Sequence, residues 1–342
     1  MQLENFGWSG FFATQQCPGI PARISFASRD RFVVWTQTGE SEAIVSGALR
    51  HNSLLWPAVG DWVGLRPGTT VIEYILDRKT LLSRKQPGKP IQQQVLAANV
   101  DVLFIVSGLD RDFNERRIER YLVIARQSGA RPVILLNKAD LTESLRLDLH
   151  SIVHRLSRMS GVSVVSISAS TGHGLEQLDE LVSPGETAAL IGSSGVGKST
   201  LVNGILGHSR QFTADVREDD NRGRHTTTSR SMFITPAGWL LFDMPGLREV
   251  QLWSSATNLD SSFEDIQQIA RKCRFRDCSH SGEPGCALAE SDIDSARLDS
   301  YRKLQRELDY LDRKLDKRLL SETKARWKVI HKAMRNHPKK QW

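Results

Sequence analysis

The stretch Ala188-Ala189-Leu190-Ile191-Gly192-Ser193-Ser194-Gly195-Val196-Gly197-Lys198-Ser199-Thr200 decides the fold. A short apolar run of strand type leads into two glycines that flank four residues. Lys-Ser follows, and then the helix-type run 201–206. This is a phosphate-binding loop in its strand–loop–helix setting. Glycines let the backbone turn its N–H groups inward around an anion, at a helix N-terminus whose dipole favours negative charge. Residues 192–200 are therefore expected to line the phosphates. Lys198 is the expected catalytic cation on the β/γ-phosphates and Ser199 a hydroxyl ligand for Mg²⁺. With Gly near 7% of residues, a chance match in a chain of this length is on the order of one in a hundred.

Three more segments sit at the ends of expected strands. Asn137-Lys138-Ala139-Asp140 follows the apolar run 133–136. A carboxylate at Asp140 can accept from both N1–H and the exocyclic amine of guanine, a donor pair that adenine lacks on that edge. Facing the wrong base it would stay unpaired, which is costly, so it selects GTP over ATP. Ser168-Ala169 follows the strand-like 162–167 and supplies the other guanine-loop element. Asp243-Met244-Pro245-Gly246 follows 239–242, with Asp243 expected towards Mg²⁺ and the Gly246 N–H towards the γ-phosphate. Singly each is weak: Asn-Lys after a strand is common, Ser-Ala means little, and Pro-Gly also makes a simple turn. Together they lie at strand ends of one sheet, where α/β ligand sites form, and they point to a guanine nucleotide with Mg²⁺.

Their order is reversed from that of ordinary small GTPases, in which the phosphate loop precedes Asn-Lys-x-Asp. Here Asp140 comes 58 positions before Lys198, and Asp243 comes last. The domain therefore reads as a circularly permuted GTPase, and the segment after Asp243 runs directly into the carboxy-terminal part. A change there on hydrolysis could move that part as a unit. Between Gly207 and Arg230 lies a stretch without periodicity, read as the first switch loop. One of Thr226, Thr227 and Thr228 is its expected Mg²⁺ ligand, with Thr227 the candidate among them. Leu247 stands where Ras-like proteins place a water-orienting glutamine, so unaided hydrolysis should be slow. His225 is the candidate for that catalytic work once a partner orders the loop.

The rest of the chain divides around this domain, giving expected boundaries of 1–90, 91–252 and 253–342. Short strand-like runs between 31 and 82 suggest a small, OB-like β-barrel suited to RNA, and 87–90 reads as a linker. From 99 the rhythm becomes strand–helix alternation, with strands near 102–106 and 132–136 and a helix over 115–127. Cys273, Cys278, His280 and Cys286 fall within 14 residues. Three thiolates and an imidazole are a usual set for one tetrahedral structural zinc, and no position stays open for catalysis. Cys17 reads as an ordinary thiol. Beyond this cluster a helix from about 292 carries Leu298, Tyr301, Leu304, Leu308, Leu311, Leu315 and Leu319, a stripe of core type.

Charge is concentrated at the end of the chain. The net charge is +7, but residues 301–342 hold 14 Lys+Arg against 5 Asp+Glu, which leaves the other 300 residues at −2. Such a basic tail points to a polyanion, here nucleic acid. The longest apolar stretch, 100–107, is too short to span a membrane and carries Asp101, and the first twelve residues lack a secretory pattern. A cytoplasmic location without membrane attachment is expected.

The sequence resembles the RsgA (YjeQ) family of small-ribosomal-subunit biogenesis GTPases over nearly its whole length. Asn137 to Asp140 before Gly192 to Ser199, Gly223-Arg224-His225-Thr226-Thr227-Thr228, Asp243 to Gly246 and the Cys₃His cluster carry the resemblance. It implies an OB-fold, a bound zinc ion, late binding to the small subunit and its rRNA, and GTP hydrolysis stimulated by that subunit. A monomer is expected. The alternatives are a permuted GTPase of large-subunit assembly and a non-hydrolysing, GTP-bound RNA scaffold.

Overall fold

Strand β1 (Ile20–Ser28) serves two assemblies. Its first residues pair antiparallel with β4 (Trp62–Leu65), and Arg23 onward pairs with β2 (Arg31–Thr36). With β3 (Gly39–Val45) and β5 (Val71–Ile75) this closes a five-stranded barrel in the order β1-β2-β3-β5-β4-β1. The far end of β1 pairs Phe26 with Ser231 and Ala27 with Arg230 in β12 (Arg230–Ile234), so the barrel wall continues into a second sheet. Alternation sets the barrel core. Phe32 and Val34 of β2 and Ala43 and Val45 of β3 point inward, while Glu42 and Ile44 between them are exposed. The computed structural model describes residues 2–28, 31–51, 56–85, 93–207, 230–243, 257–276, 278–280 and 283–313. The expected linker 87–90 lies outside them.

The strand-like reading began at 31, yet β1 starts at Ile20. The disguise is Arg23, which is buried rather than exposed. Its guanidinium donates to the carbonyls of Phe6 and Asn99 and, at 2.7 Å, to Thr187 Oγ1, and it lies over the Trp62 ring. Burial lowers its pKa to about 10. One side chain thereby joins the amino-terminal segment, the barrel and the second sheet. The segment ahead of β1, with α1 (Gly10–Ala13), packs aromatic residues on the barrel: Phe6 on Trp35 at 5.1 Å and Trp8 edge-on to Trp62 at 4.7 Å.

The second sheet has the order β10 (Val164–Ser166), β9 (Arg131–Asn137), β8 (Val102–Gly108), β11 (Thr187–Ile191), β13 (Leu240–Asp243), β12. The two-stranded sheet of β6 (Leu81–Lys85) and β7 (Gln93–Ala98) leads into it, whereas α2 (Gly47–His51) belongs to the barrel, between β3 and β4. Strands β8, β9, β10, β11 and β13 run parallel, and β12 is antiparallel to β13. Helices α3 (Glu115–Ser128), α4 (Leu149–Ser160), α5 (Gln177–Leu181) and α6 (Lys198–Leu206) provide the connections. Every residue of β8 and β11 is buried, as expected of parallel strands covered on both faces. The chain moves outward from β8 to β9 and β10, then returns to the other side of β8 as β11. The strand order therefore reverses between β8 and β11.

Barrel and sheet form one compact unit; residues 252–342 with 85–93 form the other. In that second unit, helices Thr257–Ser262 and Glu264–Ala270 and a helix beginning at 295 enclose Leu259, Phe263, Ile266 and Leu288. Leu298, Tyr301, Leu304 and Leu308 of the expected stripe are buried, whereas Leu315 and Leu319 lie outside the described residues. The helix starts three residues later than expected because Asp294 caps it, accepting from the Ala296 N–H at 3.1 Å. Arg297 makes a bidentate bond to Asp265 at 2.8 and 2.7 Å and covers the Phe263 ring.

Candidate functional site

The carboxyl ends of β10, β9, β8, β11 and β13 form one sheet edge. Ser168, Asn137, Asp110, Gly192 and Asp243 stand there or just beyond it, in that order. The strand order reverses between β8 and β11 at this edge, the place where open α/β sheets bind ligands. Three of the four sequence segments, and Asp243 from the fourth, are thus brought to one edge despite their reversed order.

Asn137 is the central clasp. Its side chain is buried; Nδ2 donates to the Val196 carbonyl at 2.7 Å and Oδ1 accepts from the Ala169 N–H at 2.9 Å. It therefore joins the phosphate loop to the Ser168-Ala169 segment. Lys138 has a left-handed backbone (φ 66°) that throws its ammonium across to the Gly195 carbonyl at 2.8 Å and to Asp110 at 2.5 Å. Asp140 is exposed. Its Oδ1 accepts from the buried Ser168 hydroxyl at 2.6 Å, which fixes the carboxylate where a planar base could meet it. Ser168 and Ala169 act on opposite sides of this junction, one on Asp140 and the other on Asn137.

In the phosphate loop, Lys198 donates to the carbonyls of Gly192 at 2.7 Å and Ser193 at 2.6 Å, so its ammonium lies across the loop. Gly197 has φ +94°, and a Cβ there would sit 2.4 Å from Asn137 Nδ2, while one at Gly192 would sit 2.3 Å from the Val106 carbonyl. Glycine at 197 allows the close approach that the clasp needs, and glycine at 192 lets the loop start lie against β8. Ser199 and Thr200, in the first turn of α6, and Ser194 and Gly195 are exposed; Val196 is buried. Asp243 ends β13 one position beyond the Ala189–Phe242 pair, level with Leu190, two residues before the loop. Gly246, Leu247, Thr226, Thr227, Thr228 and His225 lie outside the described residues.

The sequence reading missed the β8–α3 loop. Asp110 takes the Lys138 ammonium, and that hydrogen bond holds its carboxyl below the usual carboxylate range. Asp112 receives Arg117 at 2.5 Å and the Ser193 hydroxyl at 3.0 Å, and these bonds hold it low as well. No motif marks these residues. They matter because β8 lies between the strand that carries Asn137 and the strand that carries the phosphate loop.

In the other unit, Cys273, Cys278, His280 and Cys286 present ligand atoms all within 4.8 Å of one another. His280 Nδ1 faces the sulfurs of Cys273 at 3.6 Å and Cys286 at 3.7 Å. A tetrahedral ion with bonds of about 2.3 Å to sulfur and about 2.0–2.1 Å to nitrogen would separate such atoms by about 3.5–3.6 Å, so the donor set fits one. Arg302 donates to the His280 carbonyl and so holds this loop to the helix beginning at 295. Beside the cluster, Arg271, Lys272, Arg274, Phe275 and Arg276 are all exposed, with Arg274 over the Phe275 ring at 5.5 Å. This basic–aromatic run was legible in the sequence but is interleaved with Cys273. Cys17 is half-buried, and burial raises its thiol pKa.

The family model described as RsgA GTPase matches residues 75–253. A protein called Small ribosomal subunit biogenesis GTPase RsgA, from Opitutus terrae, is 42% identical over 98% of this chain and 97% of its own length. The chain belongs to the RsgA GTPase family. The RsgA of Methanosarcina acetivorans is 44% identical over 91% of this chain and 85% of its own length. The crystal structure of YjeQ from Thermotoga maritima superposes with a TM-score of 0.62 at 27% identity, covering 84% of this chain and 98% of that one. YloQ, described as a circularly permuted GTPase, shares the fold with a TM-score of 0.59 at 21% identity. The permuted P-loop GTPase architecture and the OB-like barrel read from the sequence are thus both present. An ABC transporter model also matches residues 175–339, a span that contains the phosphate loop but excludes Asn137 and Asp140. Among the described residues no helix is long and apolar enough to cross a membrane.

Proposed function

We propose that this chain hydrolyses GTP to GDP and phosphate as a late assembly factor of the small (30S) ribosomal subunit, binding its rRNA and activated by it. The observation that carries the reading is the Asn137 clasp, which joins the base-recognition segment to the phosphate loop in a chain of this family. Asp140 reads guanine, with Ser168 holding it. The backbone of 192–200 and Lys198 take the phosphates, and Gly246 the γ-phosphate. Ser199, Asp243 and Thr227 hold Mg²⁺, which supplies charge neutralisation on the β/γ-phosphates. His225 orients the attacking water. Cys273, Cys278, His280 and Cys286 hold one structural zinc ion, His280 through Nδ1.

The chain works as three modules: the barrel, 1–90; the GTPase domain, 91–252; and the zinc-binding helical domain with its basic tail, 253–342. It acts as a cytoplasmic monomer. An RNA partner is supported by the relatives' printed names, by the tail's excess of 14 Lys+Arg over 5 Asp+Glu, and by the exposed run from Arg271 to Arg276.

The test is GTP turnover with and without isolated small or large ribosomal subunits. Stimulation by the small subunit alone supports the proposal; stimulation by the large subunit alone overturns it for a large-subunit factor. Absence of turnover in every condition makes the protein a GTP-bound scaffold. In the same assay His225→Ala should abolish most of the stimulation, and unchanged stimulated turnover would remove His225 from the mechanism. Deleting residues 320–342 should flatten the dependence of subunit binding on salt.

A further inference from the structure

Arg117, in the first turn of α3, donates to Ser193 Oγ at 2.8 Å and to both carboxylate oxygens of Asp112 at 2.5 and 3.1 Å. Ser193 Oγ in turn donates to Asp112 at 3.0 Å. These three side chains form a closed polar triangle on the outer side of the phosphate loop. We propose that Arg117 is a positioning residue for the nucleotide's phosphates, holding the first half of the loop in its anion-binding shape through Ser193. The inference rests on the reading of residues 192–200 as the GTP phosphate site.

The loop is held from two sides, by different means. Its second half is fixed by groups of the base-recognition segment, Lys138 on the Gly195 carbonyl and Asn137 on the Val196 carbonyl. Its first half is held by two cations. Lys198 bonds the carbonyls of Gly192 and Ser193, but Lys198 is also the charge for which an entering phosphate competes. As that ammonium turns its charge to the β/γ-phosphates, its hold on the Ser193 backbone weakens. The Arg117 bond is made to a side chain, so it does not compete with the anion and persists in the loaded state.

Arg117 is suited to this task. Its backbone belongs to a rigid element: Asn114 caps α3, accepting from the Arg117 N–H at 3.1 Å, and Ile118, Tyr121, Leu122 and Ala125 are buried. A planar guanidinium can hold Asp112 in a bidentate bond and still reach Ser193, which a lysine ammonium, a single point charge, cannot do as well. Asp112 balances the charge, so the arginine is directed at the hydroxyl rather than drawn into solvent.

Equilibrium titration of the full-length protein with fluorescent GDP and a slowly hydrolysed GTP analogue tests the proposal. Arg117→Ala should weaken binding of both by about tenfold, as expected for loss of a charge-assisted hydrogen bond, mainly through faster release. The unfolding midpoint of the nucleotide-free protein should move by no more than about 2 °C, and the preference for guanine should not change. Arg117→Lys should recover only part of the affinity. Ser193→Ala should weaken binding, and adding Arg117→Ala to it should cost little more, because the two act as one unit.

Binding by Arg117→Ala within about twofold of wild type overturns the proposal, as does simple additivity in the double variant. A large fall in the unfolding midpoint, with normal affinity at low temperature, would make the residue structural and also overturn it. If the wild-type protein itself binds no guanine nucleotide, the site reading fails and the proposal with it. Normal wild-type binding with an unaffected Arg117→Ala removes this proposal alone.

Discussion

Asn137 and Val196 are 59 positions apart in the chain and joined by a hydrogen bond of 2.7 Å. The donor ends β9, and the acceptor belongs to the loop that follows β11. The other end of the same amide accepts from the Ala169 N–H, so three segments meet on one buried side chain. In the folded molecule the reversed order of the motifs leaves no trace, because the sheet edge sets the geometry and the order of connections does not.

Asn137→Ala leaves the Val196 carbonyl and the Ala169 N–H without this partner in a buried place. Each such loss costs about 1–3 kcal/mol, so the variant should lose about 2–6 kcal/mol of stability and bind guanine nucleotides at least tenfold more weakly. Denaturant unfolding and nucleotide titration check both effects.

Asp140→Asn keeps the shape of the side chain and exchanges an acceptor for a donor. The exocyclic amine of guanine then loses its partner, whereas xanthine, with a carbonyl at that position, gains one. GTP affinity should fall about a hundredfold or more, and affinity for xanthosine triphosphate should rise correspondingly. Competitive titration with the two nucleotides gives the ratio.

The Asp110–Lys138 pair should make the loop's stability depend on pH. The Lys138 hydrogen bond lowers the Asp110 carboxyl below its ordinary 3.8, so the folded state favours the ionised form. Its contribution is complete above the unfolded-state value and is lost as pH falls below 3.8 towards the depressed folded value. With both groups partly exposed, the effect should stay under about 1 kcal/mol. Asp110→Asn should lower the unfolding midpoint of the nucleotide-free protein at pH 7 and make it fall less steeply than wild type between about pH 5 and pH 3.

Removal of the metal from the Cys₃His cluster should unfold the unit around it. Structural zinc contributes on the order of 10 kcal/mol, comparable to the whole stability of a small domain. Metal analysis should give one zinc per chain. A strong chelator, or Cys286→Ser at a position that is 1% exposed, should remove it together with helical circular dichroism.

Much of this site was legible because its chemistry is written in contiguous residues. A phosphate loop needs its glycines, lysine and serine in one short run, and a base-reading carboxylate follows its own strand directly. The four Cys/His side chains that could hold a metal likewise fall within 14 residues. Arg23 and Arg117 were not legible: Arg23 breaks the apolar run 20–24 with a charge that ordinarily faces water, and Arg117, among polar neighbours, reads as a surface residue. Arg23 is nevertheless buried between the barrel and the second sheet, and Arg117 faces Ser193 across 76 positions of sequence. The amino-terminal aromatics gave no signal either, because Phe6, Trp8 and Phe12 lack periodicity and gain meaning only from the barrel tryptophans they meet.

The sequence by itself determined the chemistry class: a phosphate-loop GTPase domain in permuted order, a strand-rich portion ahead of it, and four Cys/His side chains behind that could hold a metal. These depend on local backbone freedom, strand periodicity and side-chain donors, which short segments encode. Only the tertiary structure decided that β1 is shared by the barrel and the second sheet, and that the β8–α3 loop lies beside the phosphate loop. Those features arise from strand order, and strand order is set by packing between segments far apart in the chain, which no local pattern records.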